Sequence, residues 1–440
     1  MVGGGFTTYN GTMANGIVRL AANGSIDNSF VTGTGFDGMV TSALLQTDGK
    51  IIVAGQFTSY NGTPVNKILR LKKNGSIDNT FSLNGLANKA PQKMTLQADG
   101  KIVLAYSTIE EVDLKRLNTD GSIDGSYSAI IPITDPDGVD TYFPTTRALL
   151  TQSDGKILVG GSYFFGNSPS FHFLKRVNVN GMLDTTFHSP YEEQAISGGG
   201  PVFTICLQND GKIIVGGKGE EHSNGSQNLS TSFISRLNVN GSLDNTFHQN
   251  NTLSKPNLGV YTTEILTDGK IIVAGFFPEL NTYAAHNIAR LNTDGTFDIS
   301  FNKITGANGE IMASAVQPNG RIIIAGNFSA FHFQSRNHVA RLLENGKLDH
   351  SFNVGTGTNG TVSAVAVQAD KKILIAGNFS SYNDHPVPGL VRVNSNGSID
   401  ASFDPGTGAD GPINTIVVQD DNKIVIGGSF TQVNGNNSNA

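Results

Sequence analysis

Three acidic residues in one short stretch, Asp135-Pro-Asp137-Gly138-Val-Asp140, carry the plainest metal-binding chemistry in the chain. Calcium takes several hard oxygen ligands from a flexible loop, and near-alternating carboxylates around a glycine turn suit it. The stretch lacks the terminal glutamate and flanking helices of an EF-hand, so a solvated turn is the alternative. Paired carboxylates stand at Glu192-Glu193 and at Glu220-Glu221, the latter followed by His222. Held opposite each other across a sugar, such pairs would serve glycoside hydrolysis; lying adjacent on loops, they are solvated charges. Tyr142, Phe143, Tyr191 and Tyr261 offer rings that stack on a sugar or fill a pocket of a protein partner. His188 and His248 follow an aromatic residue at equivalent places, and a metal site there would need further ligands. Cys206, the single cysteine, lies in an alternating apolar segment and is expected as buried filler. The chain has no phosphate-cradling glycine loop, nucleophile elbow or metalloprotease motif.

The elements that must position these residues are repeats. A first phrase, a turn followed by a short apolar strand and a small-residue step, recurs from Asp48–Gly55 to Asp421–Gly428. A second phrase, Arg-Leu, a gap, Asn/Asp-Gly, then Ile/Leu-Asp and an aromatic, recurs from Arg19–Phe30 to Arg392–Phe403. Each period holds four short β candidates, as in Thr41–Gln46, Ile51–Phe57, Lys67–Lys72 and Ser76–Phe81, and leaves no room for a long helix. Asp48-Gly49 and Asn74-Gly75 are tight-turn signals, because glycine accepts positive φ. Antiparallel strands reverse at each turn, so the tight turns fall on one face and the long links on the other.

The expected fold is all-β: an eight-bladed β-propeller of four-stranded antiparallel blades, spanning 1–440 as a single domain. Its last blade is composite, with first and second strands from Pro412–Gln419 and Lys423–Phe430 and third and fourth strands from Gly16–Leu20 and Ser25–Phe30. Closure of this kind removes exposed sheet edges. Val2–Phe6 duplicates the second strand, so one copy is expected to be displaced or peripheral, and a seven-bladed ring with a spare unit is the alternative. The repeated Arg and Asp, such as Arg70 with Asp78 and Arg236 with Asp244, are expected as hydrogen-bonded framework within each blade. The repeated aromatics are expected as core between blades.

The phrases DGKI, an apolar pair, Ala/Gly-Gly and Phe, then Arg-Leu, Asn-Gly-Ser-Ile/Leu-Asp and Ser/Thr-Phe, resemble the delta-60 repeat β-propeller family. The Gly-Gly strand and the aromatic-ended outer strand are also similar to kelch blades, although the chain lacks the tryptophan that kelch repeats commonly carry. The resemblance implies a propeller of bacterial secreted or cell-surface proteins. It names no ligand and no catalytic constellation.

Hydrophobic residues at 38% provide a core, and charged residues at 15% leave a surface of Asn, Ser, Thr and Gly. A net charge of -6 without any Lys/Arg run argues against nucleic acid. No apolar run is long enough for membrane insertion. The chain opens mid-phrase and is expected to be a segment of a longer protein, alongside other domains. Departures from the period cluster between Ser128 and Val260, where Ser128–Thr145, His188–Pro201, His248–Val260 and Lys218–Thr231 lengthen while Ser107–Val112 shrinks. All map to the long-link face, so that sector is the expected binding face. The function this supports is an extracellular or cell-surface binding or scaffold module recognising a protein or glycan, as in an adhesin or, on a virion, a phage tail. The rivals are a polysaccharide-active enzyme using the loop carboxylates and a purely structural spacer. No cofactor is expected beyond calcium at Asp135, Asp137 and Asp140.

Overall fold

The structure is a computed structural model that describes residues 2–4, 8–9, 12–13, 17–19, 21, 27–31, 33–38, 40–83, 86, 89–109, 111–132, 143–164, 171–190, 202–217, 222–223, 228–229, 233–247, 259–277, 279–280, 283–301, 306–405, 413–418 and 424–428. The described residues form strands and turns, with no helix among them. They fall into two compact units, one of Met1–Ala90 with Ile304–Ala440 and one of Pro91–Lys303.

Within each unit the recurring element is a small antiparallel sheet. In the first unit Val362–Val367 pairs with Ile373–Gly377, which pairs with Leu390–Val393. The middle strand is buried along its whole length, which is why the first phrase is an unbroken apolar run and not an alternating one. The expected fourth strand is much reduced in most repeats. After the third strand the chain makes one bridge, such as Leu71 to Ile77 or Leu237 to Leu243, and then turns. At that turn the Asp78 carboxylate accepts from the Thr80 N–H and hydroxyl, and the Phe81 N–H donates to the Asp78 carbonyl; Asp124 accepts from Ser126 in the same way where the fourth strand is full, so the carboxylate contacts alone do not end the pairing. A full fourth strand is described in one sheet, Lys93–Leu96, Ile102–Ser107, Glu111–Leu117 and Ile123–Pro132.

The repeated charges are framework, as expected. In the first unit Arg70 Nε donates to Asp78 Oδ2 at 2.8 Å, and the Lys50 ammonium lies 3.1 Å from the same oxygen. The Arg70 guanidinium stacks 4.7 Å from the Phe81 ring centroid. The same arrangement recurs in the second unit around Asp184 and Asp244. Within a unit the arginine also ties one sheet to the following one: Arg116 Nη1 donates to the Val179 carbonyl at 2.6 Å, and Arg176, Arg236 and Arg341 reach Val239, Thr293 and Ser395 in the same way. Those carbonyls belong to the Asn/Asp-Gly turn of the following repeat. At Gly241, φ is +87° and an added Cβ would lie 2.8 Å from the Phe187 ring, so both backbone and packing demand glycine.

In the first unit the chain's terminal strands share one sheet, ordered Ile413–Val418, Ile424–Gly428, Val2–Gly4, Ile17–Val18. The duplicated second strand is inserted, not displaced. Val2–Gly4 runs parallel to Ile424–Gly428, with Val2 opposite Ile426 and Gly3 opposite Gly427. On its other side it meets the third strand with Val2 opposite Val18, matching Ile375 opposite Val391 in the neighbouring repeat.

Candidate functional site

The first strand of most repeats carries a β-bulge near its start, next to the long link. In the second unit the bulged residues are Arg147, Phe203 and Tyr261. In the first unit they are Thr41, Met312, Ser363 and Asn414. A bulge places two residues opposite one and re-aims a side chain out of the alternating pattern. The glycine that ends the second strand makes it fit: an added Cβ on Gly161 would lie 2.1 Å from the Thr145 carbonyl oxygen, and one on Gly275 would lie 2.0 Å from that of Gly259. In the 93–132 sheet Tyr106 stands in place of that glycine. There the ladder runs without a bulge from Lys93 opposite Ala105.

The three bulged residues of the second unit make a continuous stack across neighbouring sheets. The Arg147 guanidinium lies 5.4 Å from the Phe203 ring centroid, and Phe203 meets Tyr261 edge-on at 5.7 Å. All three are half-buried. Arg147 Nε donates to the buried Ser162 hydroxyl at 3.2 Å, which fixes the fork on the ring. Lys93 stands on the first strand of the preceding sheet. Desolvation, with the like charge of Arg147, holds its ammonium below the ordinary lysine value. Beside it Gln92 is engaged by the framework, its Oε1 accepting from the Thr146 N–H and the Ser107 hydroxyl at 2.7 Å each. The arrangement brings two cations and two rings to the starts of four first strands in neighbouring sheets. Such a surface suits a ligand with a flat apolar face and an anionic group.

Of the expected binding residues, Tyr261 is part of this stack. Phe143 and His222 are placed on strands, opposite Phe164 and Leu229. Asp135, Asp137, Asp140, Tyr142, Tyr191, Glu192, Glu193, Glu220, Glu221 and His248 lie outside the described residues. Among the described residues no three His, Cys, Asp or Glu side chains gather as a metal set. The Cys206 thiol is half-buried against the Thr263 carbonyl and hydroxyl, and burial pushes its pKa up, which suits filler and not a nucleophile. Sequence reasoning missed Arg147, Phe203 and Lys93. A signal was present, because the bulge column varies in chemistry from repeat to repeat while its neighbours keep their type.

A cleft of about 410 Å³ opens at the tight-turn end of the second unit, lined by Gln208, Asp210, Lys212, Arg236, Thr293 and Asp294 among others. Its cations are engaged by the framework, with the Lys212 ammonium 2.9 Å from Asp244. It is a crevice between two sheets.

A family described as a domain of unknown function (DUF5122) beta-propeller matches residues 1–30, 46–81, 97–127, 152–187, 208–247, 266–301, 317–352, 368–403 and 419–440. These stretches amount to eight repeat units, the first and last together supplying one. A search of curated proteins gives no match. Among solved structures the chain is similar to virginiamycin B lyase from Staphylococcus aureus, at 13% identity and a TM-score of 0.42, over 76% of this chain and 93% of that one. It is similar to PorZ, a bacterial surface component of the type-IX secretion system of Porphyromonas gingivalis, at 13% identity and 0.42, over 92% and 60%. The extracellular domain of a one-component system from B. thetaiotaomicron aligns at 12% identity and 0.35, over 92% and 46%.

Proposed function

The chain belongs to that β-propeller family, and from this premise we propose that it is an extracellular binding propeller that recognises a glycan or protein through the long-link end of residues 91–303. The carrying observation is the Arg147–Phe203–Tyr261 stack, set out by bulges that elsewhere present small or neutral residues. The ligand chemistry it favours is a sugar ring, or a protein side chain of similar flatness, next to a carboxylate or sulfate. The delta-60-like phrases and a surface rich in uncharged Asn, Ser, Thr and Gly support an extracellular setting. Tyr142, Phe143 and Tyr191, with the acidic pairs at Glu192-Glu193 and Glu220-Glu221, would extend the same face. Calcium at Asp135, Asp137 and Asp140 would stiffen one of its loops.

The test is titration of the full chain against a panel of neutral and acidic polysaccharides, with product release followed in parallel. Retention of an acidic member without turnover supports the reading, and turnover supports the polysaccharide-active alternative. Replacing Arg147, Phe203 and Tyr261 together with Ser should weaken binding at least about tenfold, since anchors of this type are each worth more than 1 kcal/mol. Unchanged binding would count against the stack.

A further inference from the structure

The terminal sheet of the first unit holds one phrase twice. Val-Gly-Gly-Gly-Phe at residues 2–6 and Ile-Gly-Gly-Ser-Phe at 426–430 both match the second strand of the repeats, as in Val-Ala-Gly-Gln-Phe at 53–57. Val2–Gly4 lies beside the third strand, with Val2 opposite Val18 and Gly3 opposite Ile17. That is the register of Val53 with Leu69 and of Ala54 with Ile68 in a regular repeat. Ile424–Gly428 keeps the antiparallel pairing with its first strand, Ile413–Val418, and runs parallel to Val2–Gly4 on its other side. This is the one parallel pair among the described strands, and it aligns the two copies residue for residue: Val2 with Ile426, Gly3 with Gly427 and Gly4 with Gly428. Packing on the next sheet is out of step by the same strand. A regular first strand lies against the first and second strands of the sheet before it, as Val362–Val367 does against Glu310–Val316 and Ile322–Asn327. Val40–Leu45 lies instead against Ile424–Gly428 and Val2–Gly4.

The third strand is held by the frame. Ile17 is buried, and Arg19 donates to Asp27, stacks on Phe30 and reaches the Lys73 carbonyl of the next sheet. One fixed place beside Ile17–Val18 thus has two sequences fit to fill it. Glycine-rich strands specify register weakly, and here Gly3-Gly4 runs beside Gly427-Gly428. We propose that the two copies exchange. Val2–Gly4 leaves, Ile413–Val418 and Ile424–Gly428 move over together by one strand spacing, about 4.8 Å, and Ile426 pairs with Val18 in the register that Val2 held. The sheet then has the three-strand order of its neighbours. Exchange gives up the short parallel ladder and draws Ile413–Val418 away from Val362–Val367; it frees the released segment and brings a first strand against Val40–Leu45. One inter-sheet contact is traded for another, which makes the terminal sheet a two-state element built from a duplicated strand.

Oxidative cross-linking of the full chain in a Cys206→Ser background tests this. Residues directly opposite in an antiparallel pair are within disulfide reach, and residues separated by an intervening strand, about 10 Å apart, are not. Val2→Cys with Val18→Cys traps the inserted form, and Val18→Cys with Ile426→Cys traps the exchanged one. Both pairs should close under a mild oxidant. Removing residues 2–6 should speed closure of the second pair at least about tenfold, because a minor form of about 10% or less becomes the whole population. In the shortened chain the Ile17 and Val18 amides should stay protected from hydrogen exchange, now by Ile426–Gly428. A Val18→Cys, Ile426→Cys pair that stays reduced in both chains overturns the proposal. So does a pair that closes only after shortening, since Val2–Gly4 then never leaves its place. Loss of Ile17 and Val18 protection, or of the melting transition, in the shortened chain overturns it too, because the exchanged sheet is then not a stable one.

Discussion

The two units use one frame and finish it differently. In residues 1–90 with 304–440, the second-to-third link is a small capped hairpin. Asp37, Asn308 and Asn359 each accept two backbone N–H groups at the hairpin base, as Asn359 does from Ser380 and Ser381. Tyr60, Phe331 and Tyr382 plug the hairpins from inside. In residues 91–303 the link is cut to Thr108–Glu110 in one repeat. In the next, the first two strands lengthen to Phe143–Thr151 and Ile157–Phe164. The bulge column changes from Thr, Met, Ser and Asn to Arg, Phe and Tyr. Two other repeats of that unit keep a hairpin in this link, His222–Ser223 with Asn228–Leu229 and Glu279–Leu280 with Tyr283–Ala284. The difference between the units therefore lies in the bulge column, which in residues 91–303 carries a cation and two rings. The lesson is that fold and function are separable along this chain: the Lys–Asp–Arg–aromatic node is common, and the departures are local.

The largest effect should come from the node and should not distinguish the units. Asp244→Ala in one unit and Asp349→Ala in the other each remove the carboxylate from a buried arginine, and each should cost about 3–5 kcal/mol. Thermal and denaturant unfolding would show this. A small loss in one unit alone would mean that the frame is not shared.

Acid is the collective version of the same test. Desolvation tends to raise the Asp78 pKa, but the Thr80 hydroxyl and N–H, the Lys50 ammonium and the Arg70 guanidinium outweigh it and hold the carboxyl well below the usual range. At Asp124 the Lys101 and Ser126 hydrogen bonds dominate, in the same direction. Asp37 is lowered to about 2, desolvation being outweighed by hydrogen bonds from Thr58 and Ser59. For carboxyls lowered on folding, the stabilisation is present above the unfolded pKa of about 4 and is lost as pH falls through the folded value. Melting temperature should therefore hold above about pH 4 and drop steeply toward pH 2. A flat profile over that window contradicts the node as a source of stability.

The smallest effects sharpen the hairpin side of the comparison. Tyr382→Phe removes a hydroxyl donating to the Gly397 carbonyl at 2.7 Å and should cost about 1 kcal/mol. Phe333, 85% exposed at a hairpin tip with φ +60°, stands where a sister hairpin has Gly62. Phe333→Gly relieves left-handed strain and loses chain entropy, so it should stabilise by about 1 kcal/mol or less. A clear loss of stability would show that the ring has a packing role.

Most of the frame was legible in the sequence, because its chemistry repeats. Asp48-Gly49 and Asn74-Gly75 announce their turns, and Arg70, Asp78 and Phe81 share a fixed spacing. The fourth strand was overread: Ser76–Phe81 has strand composition, but it pairs at one bridge, Leu71 to Ile77, before the chain turns at Asp78. The site was less legible for a different reason. A bulge is set by a close approach between strands, as of the Thr145 carbonyl to Gly161, so Arg147 and Phe203 are marked only by comparing the same column from repeat to repeat and not by the residues around them. Tyr261 was found through its loop neighbourhood, not through its bulge.

The most direct measurement is calorimetric titration of an acidic polysaccharide retained by the wild type against two variants. One carries Ser at Arg147, Phe203 and Tyr261, and the other carries Ala at Met312 and Ser363, the matching column of the other unit. The predicted result is a loss of at least about tenfold in the first and wild-type affinity in the second. Equal affinity in both, or a loss confined to the second, would contradict the assignment of function to residues 91–303.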